Sequence, residues 1–514
     1  MTVYKGVTVI DGTGAPAYRA DVEVAEGRVA RIGRVPGAGT DAHGLVLSPG
    51  FIDMHSHSDL LLLTEPAHEA KTTQGVTTEV LGQDGLSYAP VDDATLATLR
   101  TQLAGWNGNP EDFDWSWRSV AAYLDRLDQG IAVNAAYLLP HGTIRMLAMG
   151  SDDRPPTADE LDRMRREVAT GMTEGALGLS AGLTYSPGMY ADTAELVALC
   201  EVVAAHGGYF SPHHRSYGRN ALDAYAEMIA VSRASGCPLH LAHATLNFPE
   251  NAGRAPELLA LLDTADLTLD TYPYLPGATS LAALLPGWAS AGGPEAAIAR
   301  LTDPATRERI RREIEEEGSD GCHGVPVDWS AIEISGVRDP ANRRHVGTRV
   351  GQASRPFELF ADLLVAERLG TSCLMHVGHE DNVRAIMRHP AHTGGSDGLL
   401  VGDRPHPRAW GTFPRYLGHY VRDEGVLDLV ECVHHLTGRP ARRLGLADRG
   451  VVREGYAADL VLFDPDTVAD RATFDQPRTP AAGIHHVLVN GVPVVEDGRP
   501  TGALPGHSIR QGTP

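Results

Sequence analysis

The sequence predicts an α/β protein: a (β/α)8 TIM-like barrel with a small β-sandwich domain formed from both chain termini. Three observations predict it. The long middle alternates short apolar segments that end in polar residues with helical stretches such as TADELDRMRREVATGM and ALDAYAEMIAVSRAS, the texture of β/α units around a parallel sheet. The first 48 residues instead alternate apolar and polar positions between Gly and Pro punctuation (VYKGVTVIDGTG, DVEVAEGRVARIG), which predicts short antiparallel strands. The tail returns to that texture in YAADLVLFDPD and HHVLVNGVPVVEDG, the latter with an Asn-Gly hairpin signal. The expected organisation is a sandwich portion over 1–48, a barrel over 49–447 and a second sandwich portion over 448–514. The charged run PEAAIARLTDPATRERIRREIEEEGS reads as part of a helical insertion near 286–350, an excursion from the barrel rather than a core helix.

Length and composition bound the function. A chain of 514 residues is too long for one ordinary core. With 42% hydrophobic and 21% charged residues it has a globular rather than a disordered profile. A net charge of −22 repels phosphate backbones, so nucleic acid is not an expected partner. The five cysteines are widely spaced with no CxxC pair, which indicates neither a disulfide framework nor a zinc ribbon. The start MTVYKGVTVIDGTG lacks the basic and long apolar regions of a signal peptide, and aliphatic runs such as Leu60–Leu63 are far too short to span a bilayer. The expectation is a cytoplasmic enzyme with a small-molecule substrate and no membrane partner.

In a β/α barrel, chemistry belongs at the carboxyl ends of the strands. The first such end is PGFIDMHSHSD, where His55 and His57 lie at strand period two and so point to one side. Later ends supply Asp84 in VLGQDG, His141 in LLPHG, Ser180 and Tyr185 in GLSAGLTYSPG, and the adjacent pair His213 and His214. They continue with His240 and His243 in PLHLAHAT, Asp270, Tyr272 and Tyr274 in LTLDTYPY, and Asp397 in GGSDG followed by HPRAWGTFPR. A lone buried histidine is ordinarily a hydrogen-bonded structural residue. Several imidazoles and carboxylates at successive strand ends predict a metal site, and nitrogen and oxygen donors without thiolates suit zinc, with manganese, iron or cobalt as borderline choices. Asp84 has two readings, a metal ligand or the cap of a glycine-flanked turn.

The segments PGFIDMHSHSD, GVTTEVLGQDGLS, GLSAGLTYSPG, TYPYLPGATSLAALLPGW and GGSDG with HPRAWGTFPRYLG resemble the amidohydrolase superfamily, and within it the N-acyl-D-amino-acid deacylases. The resemblance runs from near residue 1 to about 495. It implies one tight zinc site at Asp84, His213 and His243, and a second, weaker position completed by His55, His57 and Asp397. Asp397 matches the family's catalytic aspartate. The implied reaction is amide hydrolysis of an N-acyl-D-amino acid by metal-activated water, with Asp397 as general base and then acid. Two positions depart from the family pattern: Asp84 stands where cysteine is usual, and Thr245 stands where a lysine is often found.

Arg408 is the candidate for gripping a substrate carboxylate, since a guanidinium pairs two oxygens at once. Tyr185, Tyr272, Tyr274 and Ser280 are further substrate-binding candidates, with packing of the strand end as the other reading for Tyr272 and Tyr274. Arg215 reads as either a site residue or an ion-pair partner, and His141 as a hydrogen-bonding residue in or behind the site. His214 and His240 fall on the faces opposite His213 and His243. Two alternatives differ in class. A cyclic-amide hydrolase of the hydantoinase or dihydroorotase type bridges two metals with a modified barrel lysine, but Lys71 falls in a helical stretch. A catalytically silent barrel would bind a small ligand and hold no transition metal.

Overall fold

The computed structural model describes residues 2–512, so residues 1 and 513–514, the outermost parts of the two sandwich portions, lie outside it. Eight parallel strands form the central sheet: β1 (Phe51–Asp53), β2 (Val76–Leu81), β3 (Asn134–Pro140), β4 (Gly178–Gly182), β5 (Tyr209–His213), β6 (Leu239–Leu241), β7 (Leu267–Thr271) and β8 (His392–Gly394). Each pairs with its sequence neighbour. The first and last meet through Met54 N–H to Gly394 O at 3.1 Å and Asp397 N–H to His55 O at 2.8 Å, which closes the barrel.

The strands read as continuous apolar runs because both faces are covered. All seven residues of β3, NAAYLLP, are buried. The helix Ala158–Thr173 shows how the outer layer is set: Thr157 and Glu160 form a reciprocal capping box, and Met164, Val168 and Met172 are its buried apolar residues. Gly171 on that helix lets it approach β3, since a Cβ there would lie 2.4 Å from Leu139 Cδ2.

A second, mostly antiparallel sheet is assembled from both termini. Its strands run, edge to edge, as 499–500, 492–496, 484–489, 460–463, 46–49, 2–9, 18–25 and 28–33. Period-two alternation divides its faces. Leu460 and Leu462 join Tyr4, Val22 and Leu488 in one cluster, whereas Val461 and Phe463 join Phe51, Phe413 and Tyr416 in another that ties the sheet to the barrel. The expected hairpin is present: Asn490 and Gly491 both have positive φ, 50° and 76°, between paired strands. Past this sheet, Ser508–Ile509 pairs in parallel with Ala135 and Ala136 of β3, so this segment returns to the barrel.

The excursion between β7 and β8 contains more than the helices expected near 286–350. Pro294–Thr302 and Pro304–Arg312 are helical, but strands 277–280, 372–375 and 332–336 form a separate antiparallel sheet. This unit has its own core around Leu301, Ile310, Trp329 and Phe360. Its four- and five-residue strands carry little alternation, and pairing rather than local propensity makes them strands. Among the described residues no helix is long and apolar enough to cross a membrane, and all five cysteines are unpaired and buried.

Candidate metal centre

The polar strand ends converge. Asp84 lies among four imidazoles: its Oδ1 is 3.4 Å from His55 Nε2 and 3.4 Å from His243 Nε2, and its Oδ2 is 3.6 Å from His57 Nε2 and 3.5 Å from His213 Nδ1. Asp397 joins from the β8 end, with Oδ1 3.2 Å from His57 Nε2 and 3.8 Å from His55 Nε2. Two groups of donors within 4.8 Å of one another result, His55, His57, Asp84 and Asp397 in one and Asp84, His213 and His243 in the other, with Asp84 common to both.

The local sequence explains the placement. In GQDG, Gly82, Asp84 and Gly85 all have positive φ (73°, 55° and 69°), which turns the chain back over the barrel mouth. A Cβ on Gly82 would sit 2.1 Å from Leu138 O, and one on Gly85 2.6 Å from Gly182 N, so both glycines are sterically required. Ser180 accepts from Gly85 N–H at 3.0 Å and donates to Gly82 O, pinning the turn to β4. His243 and Asp397 also occupy positive φ, 30° and 47°, a costly conformation for side-chain-bearing residues that accumulates at functional sites.

The imidazoles are aimed by partners behind them. Tyr217 bonds His243 Nδ1 at 2.9 Å, and Thr184 bonds His213 Nε2 at 2.7 Å. Asp270 receives His243 N–H at 3.1 Å, contacts His240 Nε2 at 3.0 Å and faces His55 Nδ1 at 3.8 Å. Such outer partners fix the ring orientation of metal-binding histidines.

Electrostatically the centre asks for a cation. Burial disfavours a charged His55, yet Asp84, Asp270 and Asp397 outweigh it and raise its pKa to about 9. Burial likewise opposes ionised Asp84, but His55, His213 and His243 hold it well below the usual carboxylate range. For Asp397 burial is again opposed, chiefly by the Arg408 guanidinium and His57, and the net shift is downward. Both ring nitrogens of His55 and Oδ1 of Asp84 are buried without a hydrogen-bond partner among the described residues. Unsatisfied buried donors and acceptors of this kind, all nitrogen or oxygen, fit a divalent metal of the zinc type.

The substrate-binding candidates separate. Tyr185 and Tyr272 line the cavity over the centre, together with Trp106, Thr245 and His323. Arg408 is fully buried behind it: its Nη2 is 2.8 Å from Asp397 Oδ2, its guanidinium lies 4.3 Å from the Tyr272 ring, and its Nε and Nη1 find no partner among the described residues. Tyr274 is not brought to the cavity; its hydroxyl turns toward Asp470 at 3.4 Å and Arg415 covers its ring. Ser280 caps the short helix Leu281–Leu284 and lines a neighbouring cavity instead.

Arg215 pairs with Glu227, His141 with Glu195, and His214 packs between Tyr217 and Tyr225. Sequence reasoning gave Trp106 and Tyr217 no role, since Trp106 comes from the one-turn helix Ala104–Asn107 and Tyr217 from a loop, neither long enough to show periodicity; Asp270, a carboxylate inside the apolar run LTLDT, carried a visible signal.

A β/α barrel with four imidazoles and two carboxylates gathered at its strand ends defines the class of metal-site hydrolases. The amidohydrolase family description matches residues 38–495, and the chain belongs to that family. A D-aminoacylase of Alcaligenes xylosoxydans xylosoxydans is 36% identical over 98% of this chain and 96% of its own. Among solved structures, a D-aminoacylase described for its binuclear metal centre superposes with a TM-score of 0.83 at 33% identity, covering 99% of both chains. An N-acyl-D-glutamate deacylase from Bordetella bronchiseptica, complexed with zinc and a phosphonate mimic of the tetrahedral intermediate, superposes with a TM-score of 0.81 at 33% identity and 99% coverage of both.

Proposed function

We propose that this chain is a zinc-dependent deacylase that hydrolyses the amide bond of N-acyl-D-amino acids to a D-amino acid and a carboxylate. The observation that carries the proposal is the shared carboxylate: Asp84 presents both oxygens to four imidazoles, with Asp397 alongside. His213, His243 and Asp84 would hold the tight metal, and His55, His57 and Asp397 the weaker position. Zinc, when bound, supplies a Lewis acid and lowers the pKa of a coordinated water to about 7.

The chain's own groups do the rest. Asp397, kept ionised by Arg408 and His57, accepts the proton of the attacking water through Oδ1 while Arg408 holds Oδ2. It then hands that proton to the departing amide nitrogen, which leaves as the amine. Such shuttling contributes roughly 10²–10⁴-fold. Tyr272 lines the cavity on the β7–β8 side, where an α-carboxylate next to that nitrogen would fall, with the buried Arg408 guanidinium against its ring, and Thr245 adds a neutral hydroxyl to the same cavity. The D configuration is taken from the relatives.

A barrel-lysine bridge of the cyclic-amide type finds no support, since Lys71 is buried against Asp53 and Glu79, and Asp84, common to both donor groups, would take the bridging position. The cytoplasmic location read from the sequence belongs to this proposal; five unpaired cysteines suit a reducing compartment. The test is a panel of N-acetyl D- and L-amino acids and one carboxylate-free amide, assayed with added zinc. Preferential hydrolysis of the D series is expected. Comparable turnover of the carboxylate-free amide, or no turnover and no bound metal, would overturn the reading.

A further inference from the structure

Beside the cavity over the metal centre lies a second one, and the two share walls at Trp106, Thr184, Tyr185 and Ala283. Its lining is of a different kind. Leu103, Met189, Leu285, Ala297 and Leu369 give it a mainly apolar wall, Gln102, Ser186, Ser280 and Ser290 add neutral polar groups, and no charged side chain among the described residues lines it. Trp106 and Tyr185 stand edge to face at the junction, their centroids 5.0 Å apart, and Tyr185 is tethered by its hydroxyl to Thr279 at 3.0 Å. An apolar chamber opening beside a polar reaction centre is built to take part of the substrate.

Topology says which part. Asp397 follows β8, and the leaving nitrogen must face it to receive a proton, so the amino-acid half occupies the β7–β8 side with Tyr272 and Arg408. The acyl half points the opposite way across the mouth. In a closed eight-stranded barrel the strand opposite β8 is β4; Thr184, Tyr185 and Ser186, just past the end of β4, wall the second cavity where it adjoins the first, and residues 280–297 and Leu369 of the excursion between β7 and β8 reach over the mouth to close its far side.

We propose that this second cavity is the acyl-tail site, and that the enzyme prefers N-acyl substrates with unbranched medium-length hydrocarbon chains over N-acetyl ones. The inference rests on the deacylase reading above and adds the acyl class. Each methylene that leaves water for such a lining raises kcat/KM by about three- to fourfold. The four additional methylenes of an N-hexanoyl group over N-acetyl therefore correspond to a gain on the order of 10²-fold.

The experiment measures kcat/KM on the zinc-loaded enzyme for one D-amino acid carrying N-acetyl, N-butanoyl, N-hexanoyl and N-octanoyl groups. The same series is run on Ala282→Phe and Ser290→Phe, which fill the second cavity from half-buried positions that do not line the first. A rise toward N-hexanoyl in the native enzyme is expected, with at least tenfold loss of the hexanoyl-to-acetyl ratio in both filled variants. Hydrolysis of N-acetyl substrate at a rate equal to or above the longer chains overturns the acyl-tail assignment and leaves the deacylase reading standing. Unchanged ratios in both filled variants, with native zinc content and far-UV circular dichroism, overturn it as well. Failure to hydrolyse any member of the series overturns the deacylase reading and this inference with it.

Discussion

Replacing Lys71 with methionine is expected to cost about 3–5 kcal/mol of stability, the range for removing one partner of a buried ion pair. The structure sets that size. The Lys71 amine is fully buried, pairs with Asp53 of β1, lies 3.1 Å from Glu79 of β2, and donates to Ser396 Oγ at 2.7 Å. Removing it strands two carboxylates; His68, 2.7 Å from Glu79, compensates one, and nothing replaces the lysine at Asp53. The effect reaches the site, because Asp53 accepts Ser396 N–H at 2.8 Å and Ser396 donates to His55 O at 3.2 Å, fixing the loop that carries Asp397. Equilibrium denaturation of Lys71→Met, Asp53→Asn and the double variant gives the cycle. The double variant should recover stability relative to Lys71→Met, with a coupling of at least about 2 kcal/mol, because the uncompensated charge is gone. Additivity within about 0.5 kcal/mol would refute the reasoning. The pH dependence has a definite sign. Burial opposes a charged Glu79, but His68 and Lys71 outweigh it and push its pKa far down. Its contribution is therefore present above the ordinary carboxylate value and is lost as pH falls toward the folded-state pKa.

Two further outcomes follow from the centre itself. Asp397→Asn should keep metal at Asp84, His213 and His243 yet lose about 10²–10⁴-fold in kcat, read by metal analysis beside single-substrate kinetics; near-native turnover would remove Asp397 from proton transfer. Dialysis against a chelator should abolish activity and lower the thermal midpoint, and zinc should restore both; a metal bound at a thousandfold excess over its Kd contributes about 4 kcal/mol. An unchanged midpoint on metal removal would show that the imidazole cluster binds none.

The barrel and the terminal sheet were legible because burial writes period and composition into sequence. Continuous apolar runs such as LVLF at 460–463 and alternating ones such as DVEV at 21–24 report directly how many faces are covered. The convergence of candidate ligands was legible for a related reason: a strand end must be polar to function, and His55, His57, His213 and His243 follow apolar strand segments while Asp397 follows the glycine turn after β8. What failed to show depends on where another segment lies. Tyr272 and Tyr274 are equivalent in TYPY, and only the position of Asp470, nearly two hundred residues later, turns Tyr274 away from the cavity. Trp106 reaches His57, with ring centroids 5.1 Å apart, from the one-turn helix Ala104–Asn107 well beyond β2, and no local pattern marks it. The small sheet of the excursion was missed because GATS and SCLM become strands through each other, not through their own alternation.

Backbone strain at the centre yields a prediction that separates geometry from chemistry. Asp84 has φ of 55°, where a Cβ-bearing residue pays roughly 1–2 kcal/mol relative to glycine. Asp84→Ala and Asp84→Gly both delete the carboxylate common to the two donor groups, so both should lose metal and activity alike. They differ only at the backbone, since Gly82 and Gly85 already hold the turn on either side. The glycine variant should therefore be the more stable of the two metal-free proteins by about 1 kcal/mol, against the usual sign in which glycine costs its unfolded-state entropy. If alanine proves equal or better, the turn relaxes in solution and the constraint assigned to Asp84 is absent. If glycine wins while metal is lost from both, the fold spends stability to aim this carboxylate, and a ligand that recovers the expense is what the geometry demands.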